Sequence, residues 1–425
     1  MNLYDEFKWR GMIHEATPDL QQILAAEKLT AYIGFDPSAA SLHVGSLLPV
    51  MGLARLQRFG HTPIAIAGGG TGLIGDPSGK TKERQLLTYE QAQENVAGIR
   101  EQLSRFLDFE AADNPARIVN NLDWLGPISM MEFLRDVGKY FTVNNLIGKE
   151  AIKRRLESDE GISFTEFSYP LLQAYDYLVL FDTYGCTLQM GGSDQWGNIV
   201  AGIDLIRRLR GARTHGLVFP LVTTTAGKKF GKTEAGAVWL DAELTSPYRF
   251  YQFWLNTDDR DVITYLKFFT WLSREEIGEL DESVRTEPET RKAQRELARH
   301  VTLMLHGETA LAKALRASEV LFGKEIEGLS VQEILDIFAD VPSTELEKSK
   351  LDGHAFTLSD ALVVSGLAPS KGEAKRLVQG GGVCVNNRRV SDPRQAISAA
   401  ELIDGQVLVL RKGAKHYHLI RVVGS

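Results

Sequence analysis

The chain has 425 residues, 44% hydrophobic and 24% charged, which is ordinary for globular proteins and long enough for two or three domains. A net charge of −7 argues against a coat that binds nucleic acid indiscriminately, and no apolar run approaches the ~20 residues that a membrane span needs. Because the N-terminus shows neither a signal peptide nor a transit peptide, we expect a cytoplasmic protein with no membrane partner. The two cysteines, Cys186 and Cys384, are too widely separated to indicate a disulfide framework or a zinc cluster, and no metal site is predicted.

The first half of the chain alternates short apolar runs with a helical pattern. Strands are predicted at residues 31–35, 63–67 and 117–119, with a helix from about residue 42 to 59. Such alternation indicates an α/β domain with a mainly parallel sheet, which we place at residues 1–245. Ligands of these sheets bind at the carboxyl ends of the strands, where the glycine-rich turns of this chain also fall.

The second half changes character twice. A nearly all-helical pattern predicts an α-helical domain at residues 246–340, and the polar, proline-containing stretch after it indicates a linker, residues 341–353. The last segment, residues 354–425, has two helical patterns followed by strands and predicts a small α+β module. From Leu351 onward there are ten Lys and Arg and six Asp and Glu, a charge of +4 that leaves −11 for the rest. A basic module on an acidic body indicates one localised contact with a polyanion.

A glycine-rich stretch, residues 68–80, matches two nucleotide-binding patterns only in part. Three of its glycines have the dinucleotide spacing, but the Asp-Pro-Ser-Gly that follows favours a turn over the helix that this motif requires. The phosphate-loop pattern fails because Ile74 stands where its first glycine belongs. What remains is a turn that exposes backbone amides beside Asp76. It is followed in the chain by the cations Lys80, Lys82 and Arg84.

Two further segments have the composition of anion sites. His43-Val44-Gly45-Ser46 opens the first long helical pattern, and such a start either binds an anion with its free amides or is simply a capped helix. The second segment, residues 228–233, is a cationic loop with a glycine, which by itself is usually a solvated surface turn. Neither segment decides between its alternatives alone.

Taken together, these segments carry a resemblance. His43-Val44-Gly45-Ser46 paired with Lys229-Phe230-Gly231-Lys232-Thr233 resembles the two signatures of class I aminoacyl-tRNA synthetases. Residues 72–79, 173–176 and 191–198 resemble the bacterial-type tyrosyl-tRNA synthetases specifically, and the similarity extends over essentially the whole chain. Ser46 departs from the family, which usually has a second histidine there.

The resemblance implies a fold and a reaction. The fold is a Rossmann-like nucleotide-binding catalytic domain with a parallel sheet, an α-helical anticodon-side domain and a small α+β RNA-binding module. The reaction joins L-tyrosine to ATP as tyrosyl-adenylate, releases pyrophosphate, and then transfers tyrosine to the 3′ end of tRNA(Tyr). Mg²⁺ would accompany ATP without a dedicated protein site, and a homodimer would form through residues around 133–152.

The resemblance also implies roles for individual residues. The catalytic set is His43, Lys80, Arg84, Lys229, Lys232 and Thr233. The tyrosine-binding set is Tyr32, Asp76, Tyr169, Gln173, Asp176 and Gln195. The ATP-binding set is Gly34, Asp36, Ser38, His43, Gly45, Ser46, Gly192, Asp194 and Lys232. The RNA-binding set is Lys371, Lys375 and Arg376, which lie along one edge of a predicted helix.

The spacing of Tyr169, Gln173 and Asp176 supports one of these sets. On a helix, positions i, i+4 and i+7 project into one pocket, and the apolar residues around them favour that pocket over a water-facing polar stripe. Because proline suits a first helical turn, this helix is predicted to start at Pro170 with Tyr169 at its cap.

Two rival functions remain open. An inactive, RNA-binding relative predicts decay of the cationic loops, whereas Lys80, Arg84, Lys229 and Lys232 are all present. A tryptophan-specific enzyme of the same class predicts no acid and phenol pair for a substrate hydroxyl, whereas Tyr32 and Asp176 form such a pair.

Overall fold

The computed structural model describes most of the chain. The described ranges are residues 2–78, 87–158, 161–225, 227, 230–233, 236–321, 323–326, 328–339, 341–354, 356–413 and 416–424. They form two compact units, Met1–Thr245 with Trp254–Leu305, and Ser246–Phe253 with His306–Ser425. The predicted three-part division, with boundaries at residues 245, 340 and 353, rests on chain patterns and stays a prediction.

A six-stranded sheet forms the centre of the first unit. Its strands are β1 (Glu15–Ala16), β2 (Thr30–Phe35), β3 (Thr62–Ala67), β4 (Arg117–Asn120), β5 (Cys186–Gly192) and β6 (His215–Phe219). The order is β1-β6-β5-β2-β3-β4, with β1 antiparallel to β6 and every other pair parallel. From β2 the chain builds outward through β3 and β4, and then returns to the other side of β2 with β5 and β6. This reversal opens a crevice at the carboxyl ends of β2 and β5, where ligands of open α/β sheets bind.

Helices cover the sheet and confirm the predicted α/β fold. They are α1 (Leu3–Arg10), α2 (Leu20–Ala26), α3 (Leu47–Arg58), α4 (Tyr89–Leu103), α5 (Leu122–Leu125), α6 (Met130–Asp136), α7 (Val143–Ile147), α8 (Glu150–Leu156), α9 (Phe164–Tyr184) and α10 (Trp196–Arg210). Strands β2, β3 and β4 coincide with the three predicted strands to within one residue at each end. The predicted helix 42–59 is a 3₁₀ turn, Val44–Ser46, followed by α3, which buries most of its residues.

Helix α9 corrects one prediction. It begins at Phe164 with Ser163 as its cap, whose hydroxyl accepts the Glu166 amide at 3.2 Å, so Pro170 lies inside the helix and Tyr169 is not a cap. Proline removes one helical hydrogen bond and disfavours an interior position. Here the cap and the burial of residues on both sides of Pro170 outweigh that cost.

The helical part of the chain follows. It contains the small antiparallel pair β7 (Lys232–Thr233) and β8 (Gly236–Ala237), then α11 (Pro247–Leu255), α12 (Asp259–Phe269), α13 (Arg274–Thr286), α14 (Lys292–Leu321) and α15 (Val331–Ile337). Helix α14 is interrupted at Gly307, whose φ of 79° and ψ of 176° are accessible to glycine alone. No described helix is sufficiently long and apolar to cross a membrane.

The second unit contains a five-stranded sheet with two helices. The sheet and its two helices comprise β9 (Ser343–Glu347), α16 (Leu358–Val364), α17 (Lys371–Gln379), β10 (Val383–Val385), β11 (Arg388–Arg389), β12 (Val407–Lys412) and β13 (His416–Val423). The unit also contains residues 246–253, residues 306–321 of α14, and α15. The order is β11-β10-β12-β13-β9, and only β9 joins in parallel. Strand β9 lies within the stretch predicted as a linker, residues 341–353. The sequence does not predict this strand, because a polar edge strand lacks the alternation of apolar residues that indicates a strand. The two helices and the strands around 383–385 and 407–410 agree with the predicted α+β module.

Candidate active site

Polar side chains gather at the carboxyl ends of the central strands. Asp36 follows β2, Thr71 lies in the turn after β3, and Asn121 follows β4. Helix α9 passes the same crevice and contributes Tyr169 and Asp176. The crevice predicted from the alternation of strands and helices therefore contains buried polar groups that the sheet topology brings together.

Asp176 forms the floor of this crevice. Its side chain is buried, and its two oxygens accept hydrogen bonds from Trp124 Nε1 at 2.7 Å and from Asn121 Nδ2 at 3.0 Å. Burial raises the pKa of Asp176 to about 7, because desolvation opposes the charged form more than the two donors favour it. Each carboxylate oxygen has a second lone pair, so the group can accept a further donor.

Tyr32 is the second buried polar group at the floor. It is 1% exposed on β2, and its hydroxyl has no hydrogen-bond partner among the described residues. Burial, followed by the nearby charge of Asp176, raises the pKa of this phenol well above its ordinary value. The oxygen Oε1 of Gln189, the register neighbour of Tyr32 on β5, is likewise buried without a partner in the described part of the chain. Buried polar groups left in this way fit a site that a ligand completes.

A chain of hydrogen bonds connects this floor to Asp36. Asn121 Nδ2 also donates to Thr71 Oγ1 at 3.0 Å, and the Thr71 hydroxyl donates to Asp36 Oδ1 at 3.1 Å. The Tyr169 hydroxyl donates to the two oxygens of Asp36 at 3.2 and 3.1 Å. Burial raises the pKa of Tyr169 well above its ordinary value, and the charge of Asp36 adds to the shift. Asp36 from the predicted ATP set and Tyr169 from the predicted tyrosine set are therefore direct neighbours.

A second network surrounds Asp76. Gln195 Nε2 donates to Asp76 Oδ2 at 2.7 Å, and the Ser78 amide donates to Asp76 Oδ1 at 2.9 Å, which confirms the predicted turn. Asn198 Nδ2 is within hydrogen-bond distance of Gln173 Oε1 at 3.0 Å and of Gln195 Oε1 at 3.3 Å. Four residues of the predicted tyrosine set, Asp76, Gln173, Gln195 and Tyr169, thus border the crevice through two short networks.

The first signature segment lies beside the second. His43 Nδ1 accepts the Gly45 amide at 3.0 Å, which is the geometry of a capped start, and Ser46 donates its amide to the His43 carbonyl at 2.8 Å. A methyl group at Gly231, where φ is +78°, would lie 2.7 Å from Val44 Cγ2 and 3.4 Å from the Gly45 nitrogen. Only glycine permits this close approach, so the backbone of the two signatures is in contact.

The remaining residues of the predicted ATP set line the ends of β2 and β5. Gly34 and Ser38 are exposed, and a methyl group at Gly34 would meet nothing within 4 Å. A methyl group at Gly192 would lie 2.6 Å from Asp194 Oδ1, so the carboxylate folds back over the glycine.

Several predicted residues are not part of this geometry. Lys80, Arg84 and Lys229 lie outside the described residues, and Lys232 and Thr233 are described only as backbone in β7. Lys371, Lys375 and Arg376 are exposed on α17 in the other compact unit, where Ala374 and Val378 of the same helix are buried in the core.

The sequence did not single out four residues of the site: Thr71, Asn121, Trp124 and Asn198. For Asn121 and Trp124 the sequence offers only the run Asn-Asn-Leu-Asp-Trp, which begins at the last residue of β4 and suits an ordinary turn equally well. Within the described residues, no group of three or more His, Cys, Asp and Glu side chains could hold a metal ion.

Comparison with known proteins agrees with this geometry. Residues 24–323 match the family model described as tRNA synthetases class I (W and Y), and residues 333–420 match the tyrosine–tRNA ligase SYY-like C-terminal domain. The chain is 57% identical to the tyrosine–tRNA ligase of Roseiflexus castenholzii over 99% of both chains, and 51% identical to that of Opitutus terrae over 100% of both. Among solved structures, a C-terminally truncated mitochondrial tyrosyl-tRNA synthetase from Aspergillus nidulans has a TM-score of 0.69 at 31% identity, covering 76% of this chain and 94% of its own. The chain belongs to the tyrosine–tRNA ligase family of class I tRNA synthetases.

Proposed function

We propose that this enzyme activates L-tyrosine with ATP in the crevice at the carboxyl ends of β2 and β5, and then transfers tyrosine to the 3′ end of tRNA(Tyr). The observation that carries the proposal is the buried pair of Asp176 and Tyr32, an acid with two donors in place and a hydroxyl with no partner in the described structure. The substrate's phenol would donate to Asp176 and accept from Tyr32, which completes both groups.

This pair supports tyrosine over its two closest rivals. Phenylalanine would leave the buried carboxylate and the Tyr32 hydroxyl without that partner, and an unmade hydrogen bond to a buried group costs about 1–3 kcal/mol, more for a charge. The indole N–H of tryptophan would donate from a different position than a phenol hydroxyl, and the tryptophan side chain has no atom that accepts a hydrogen bond from the Tyr32 hydroxyl. The site therefore rejects a substrate that leaves the hydrogen bonds of Asp176 and Tyr32 unmade. Asn121 and Trp124 hold the Asp176 carboxylate in position to accept the phenol.

The polar groups of the amino acid are assigned to the two networks. Asp76, Tyr169 and Gln173 would hold the ammonium group, since a carboxylate, a phenol oxygen and an amide oxygen are its natural acceptors. Gln195 would orient the attacking carboxylate and, through its 2.7 Å bond to Asp76, would be held by the residue that binds the ammonium group.

The nucleotide is assigned to the part of the crevice lined by the first signature and the ends of β2 and β5, which we call the phosphate wall. His43, Gly45 and Ser46 of the first signature would hold it together with Gly34, Asp36, Ser38, Gly192 and Asp194. The tyrosine carboxylate attacks the α-phosphorus while pyrophosphate leaves, a step that needs positioning and cations and no enzyme nucleophile. Lys80, Arg84, Lys229, Lys232 and Thr233 would grip the leaving phosphates.

Mg²⁺ enters only with ATP. It would neutralise phosphate charge, and because no described cluster of acids and histidines fits a metal, no protein ligand is assigned to it and no step depends on one.

Transfer RNA is assigned to the second unit. Lys371 and Arg376 are 72% and 78% exposed, and each pairs with a neighbouring acid, Asp360 and Glu373, at 2.5 and 3.3 Å. The Arg376–Glu373 pair is open to solvent and therefore weak, so a phosphate can replace the acid there at little cost. Lys375 lies on the same exposed face.

A homodimer in the cytoplasm completes the proposal. Exposed apolar side chains concentrate between residues 130 and 164, with Met130, Met131, Val143 and Phe164 between 59% and 77% exposed. A concentration of exposed apolar side chains is typical of a surface that a partner covers, and it extends the predicted interface around 133–152 at both ends. Light scattering on the Met131→Glu variant should return half the mass of the wild type.

Exchange of radiolabelled pyrophosphate into ATP, run separately with each of the twenty amino acids, tests the proposed function. Tyrosine alone should support exchange. Exchange with none of them would favour an inactive, RNA-binding relative, and exchange with tryptophan would favour the rival specificity.

A further inference from the structure

One face of helix α12 contacts the segment that leads into the second signature. Asp261 in its first turn accepts the Thr225 amide at 3.1 Å on each carboxylate oxygen, and it also accepts the Thr225 hydroxyl. Asp261 is 8% exposed, whereas Thr225 is exposed. The helix already has its own cap in Asp258, whose side chain accepts the Arg260 amide, so Asp261 is not needed for that purpose.

The same face of α12 contacts the second signature itself. Phe230 is 5% exposed and packs edge-on against Tyr265 with ring centroids 4.9 Å apart, and in a stacked arrangement with Phe269 at 5.7 Å. The Tyr265 hydroxyl donates to the Thr223 carbonyl at 3.3 Å. Asp261, Tyr265 and Phe269 are spaced i, i+4 and i+8, so one stripe of α12 holds residues 223, 225 and 230.

Helix α12 is itself fixed at its other end. Arg55 of α3 is 1% exposed and donates to the carbonyls of Phe268 and Thr270 at 2.8 and 2.6 Å. Arg10 of α1 donates to the Lys267 and Leu272 carbonyls at 2.9 and 2.8 Å. Two guanidinium groups thus bind carbonyls in the last turn of α12, where the helix dipole is negative, and in the residues directly after it.

These contacts form a frame around the two signatures. Helix α3 begins directly after His43-Val44-Gly45-Ser46, and α12 connects the far end of α3 to Thr225 and Phe230. Gly231, the residue after Phe230, lies against Val44 and Gly45. The position of Phe230 relative to α12 therefore determines where the second signature meets the first.

We propose that Asp261 is a positioning residue for amino-acid activation, acting through Thr225 to set the second signature against the nucleotide. The proposal rests on the proposed function, in which Lys229 and Lys232 stabilise the departing pyrophosphate. Asp261 contacts neither substrate. Its loss leaves the tyrosine pocket intact and misplaces the groups that act in the transition state, so kcat falls while tyrosine binding does not change.

The test is a double-mutant cycle on activation. Asp261→Ala should lower the single-turnover rate of tyrosyl-adenylate formation by about tenfold to a hundredfold, with the Kd for tyrosine within twofold of wild type. Thr225→Ala should lower the rate in the same way, and the double variant should be no slower than Asp261→Ala alone. Asp261→Asn keeps an acceptor for the Thr225 amide and should recover most of the rate.

Asp259→Asn, which removes an acid from the same turn of α12 without touching Thr225, is the charge-matched control and should be within twofold of wild type. An unchanged rate in Asp261→Ala, or fully multiplicative effects in the double variant, would overturn the proposal, as would a rate loss that comes with an equal loss of tyrosine affinity. Failure of the wild-type protein to form the adenylate at all would instead refute the proposed function.

Discussion

The two walls of the candidate active site hold their functional groups in opposite ways. On the tyrosine wall Asp176 and Asp76 are only 3% and 8% exposed, and each accepts hydrogen bonds from neighbouring side chains. On the phosphate wall the two signatures approach each other closely at Gly45 and Gly231, and the Gly45 amide donates to His43 Nδ1. A neutral hydroxyl is read by fixed groups that are costly to leave unsatisfied, whereas a phosphate is held by cations and by close approach of amides.

This contrast predicts where substitutions change rate and where they change specificity. The largest effect is expected on the phosphate wall. Lys229→Ala or Lys232→Ala should lower the rate of activation by about tenfold to a thousandfold, since each removes one electrostatic contact of roughly 1.4–4 kcal/mol that is made as pyrophosphate departs. Single-turnover kinetics measure the rate, and equilibrium dialysis with tyrosine should give an unchanged Kd. A variant that keeps its rate but binds tyrosine weakly would reverse the assignment of the two walls.

The next largest effect is expected on the tyrosine wall. Asp176→Ala should reduce kcat/KM for tyrosine by at least the ~1.5–3 kcal/mol of a hydrogen bond to a charged group, and should affect phenylalanine far less. The preference for tyrosine should narrow by about tenfold or more. Circular dichroism checks the fold, because a folding defect would depress both substrates alike. A folded variant with its full preference would mean that another residue reads the hydroxyl.

A smaller, pH-dependent effect on KM for tyrosine is expected from replacing Trp124, which donates a hydrogen bond to Asp176. The hydrogen bond from Trp124 lowers the pKa of Asp176 against the effect of burial, so Trp124→Phe should raise that pKa above about 7. More of the acid is then protonated at pH 7 and cannot act as an ionised acceptor, and KM for tyrosine should rise by about fivefold for the first unit of added pKa shift and by about tenfold for each further unit. The defect should shrink toward pH 9. A defect of equal size at both pH values would indicate lost packing instead.

The sequence predicts an element of the fold only where the residues of that element themselves carry a recognisable pattern. Strands β2 and β3 are apolar runs, the first followed by Asp36 and the second by a glycine-rich turn, so both the sheet and its functional edge could be predicted. Strand β9 could not, because it is a polar edge strand whose partner, β13, is the last strand of the chain. The predicted start of α9 at Pro170 is wrong, because proline also fits inside this helix, which begins at Phe164 behind the Ser163 cap.

The candidate site divides in the same way. Tyr32, Asp76, Gln173 and Asp176 could be named from the resemblance, but their partners could not, because Asn121 and Trp124 contact Asp176 only through the tertiary fold. Nothing in the local pattern of residues 120–124 distinguishes a site from a turn. The hydrogen bond between Tyr169 and Asp36 could not be predicted either, because the two residues are far apart in the sequence and meet only in the folded chain.

The smallest effect is expected at the second unit, whose cations resemble those of the phosphate wall in charge but are exposed. Replacing Lys371, Lys375 and Arg376 together with alanine should reduce the slope of log affinity for tRNA against log salt by about 2–3, and the affinity itself by roughly three- to tenfold near physiological salt. Pyrophosphate exchange should not change. A chain ended at residue 340 is a poorer test, because Phe338 and Tyr417 share one core and truncation would expose it. Unchanged charging of tRNA would remove these residues from the RNA surface.

The most direct measurement is the titration of Asp176 itself by carbon NMR on the aspartate-labelled protein, with Asp176→Asn used to assign its signal. In the free enzyme the pKa of Asp176 should be about 7, because burial of the carboxyl raises it. Bound tyrosine donates to the ionised form and should lower that pKa by one unit or more, so tyrosine affinity weakens as the pH falls through 7; bound phenylalanine should not lower it. Equal shifts with tyrosine and phenylalanine would contradict the reading of the substrate hydroxyl by Asp176.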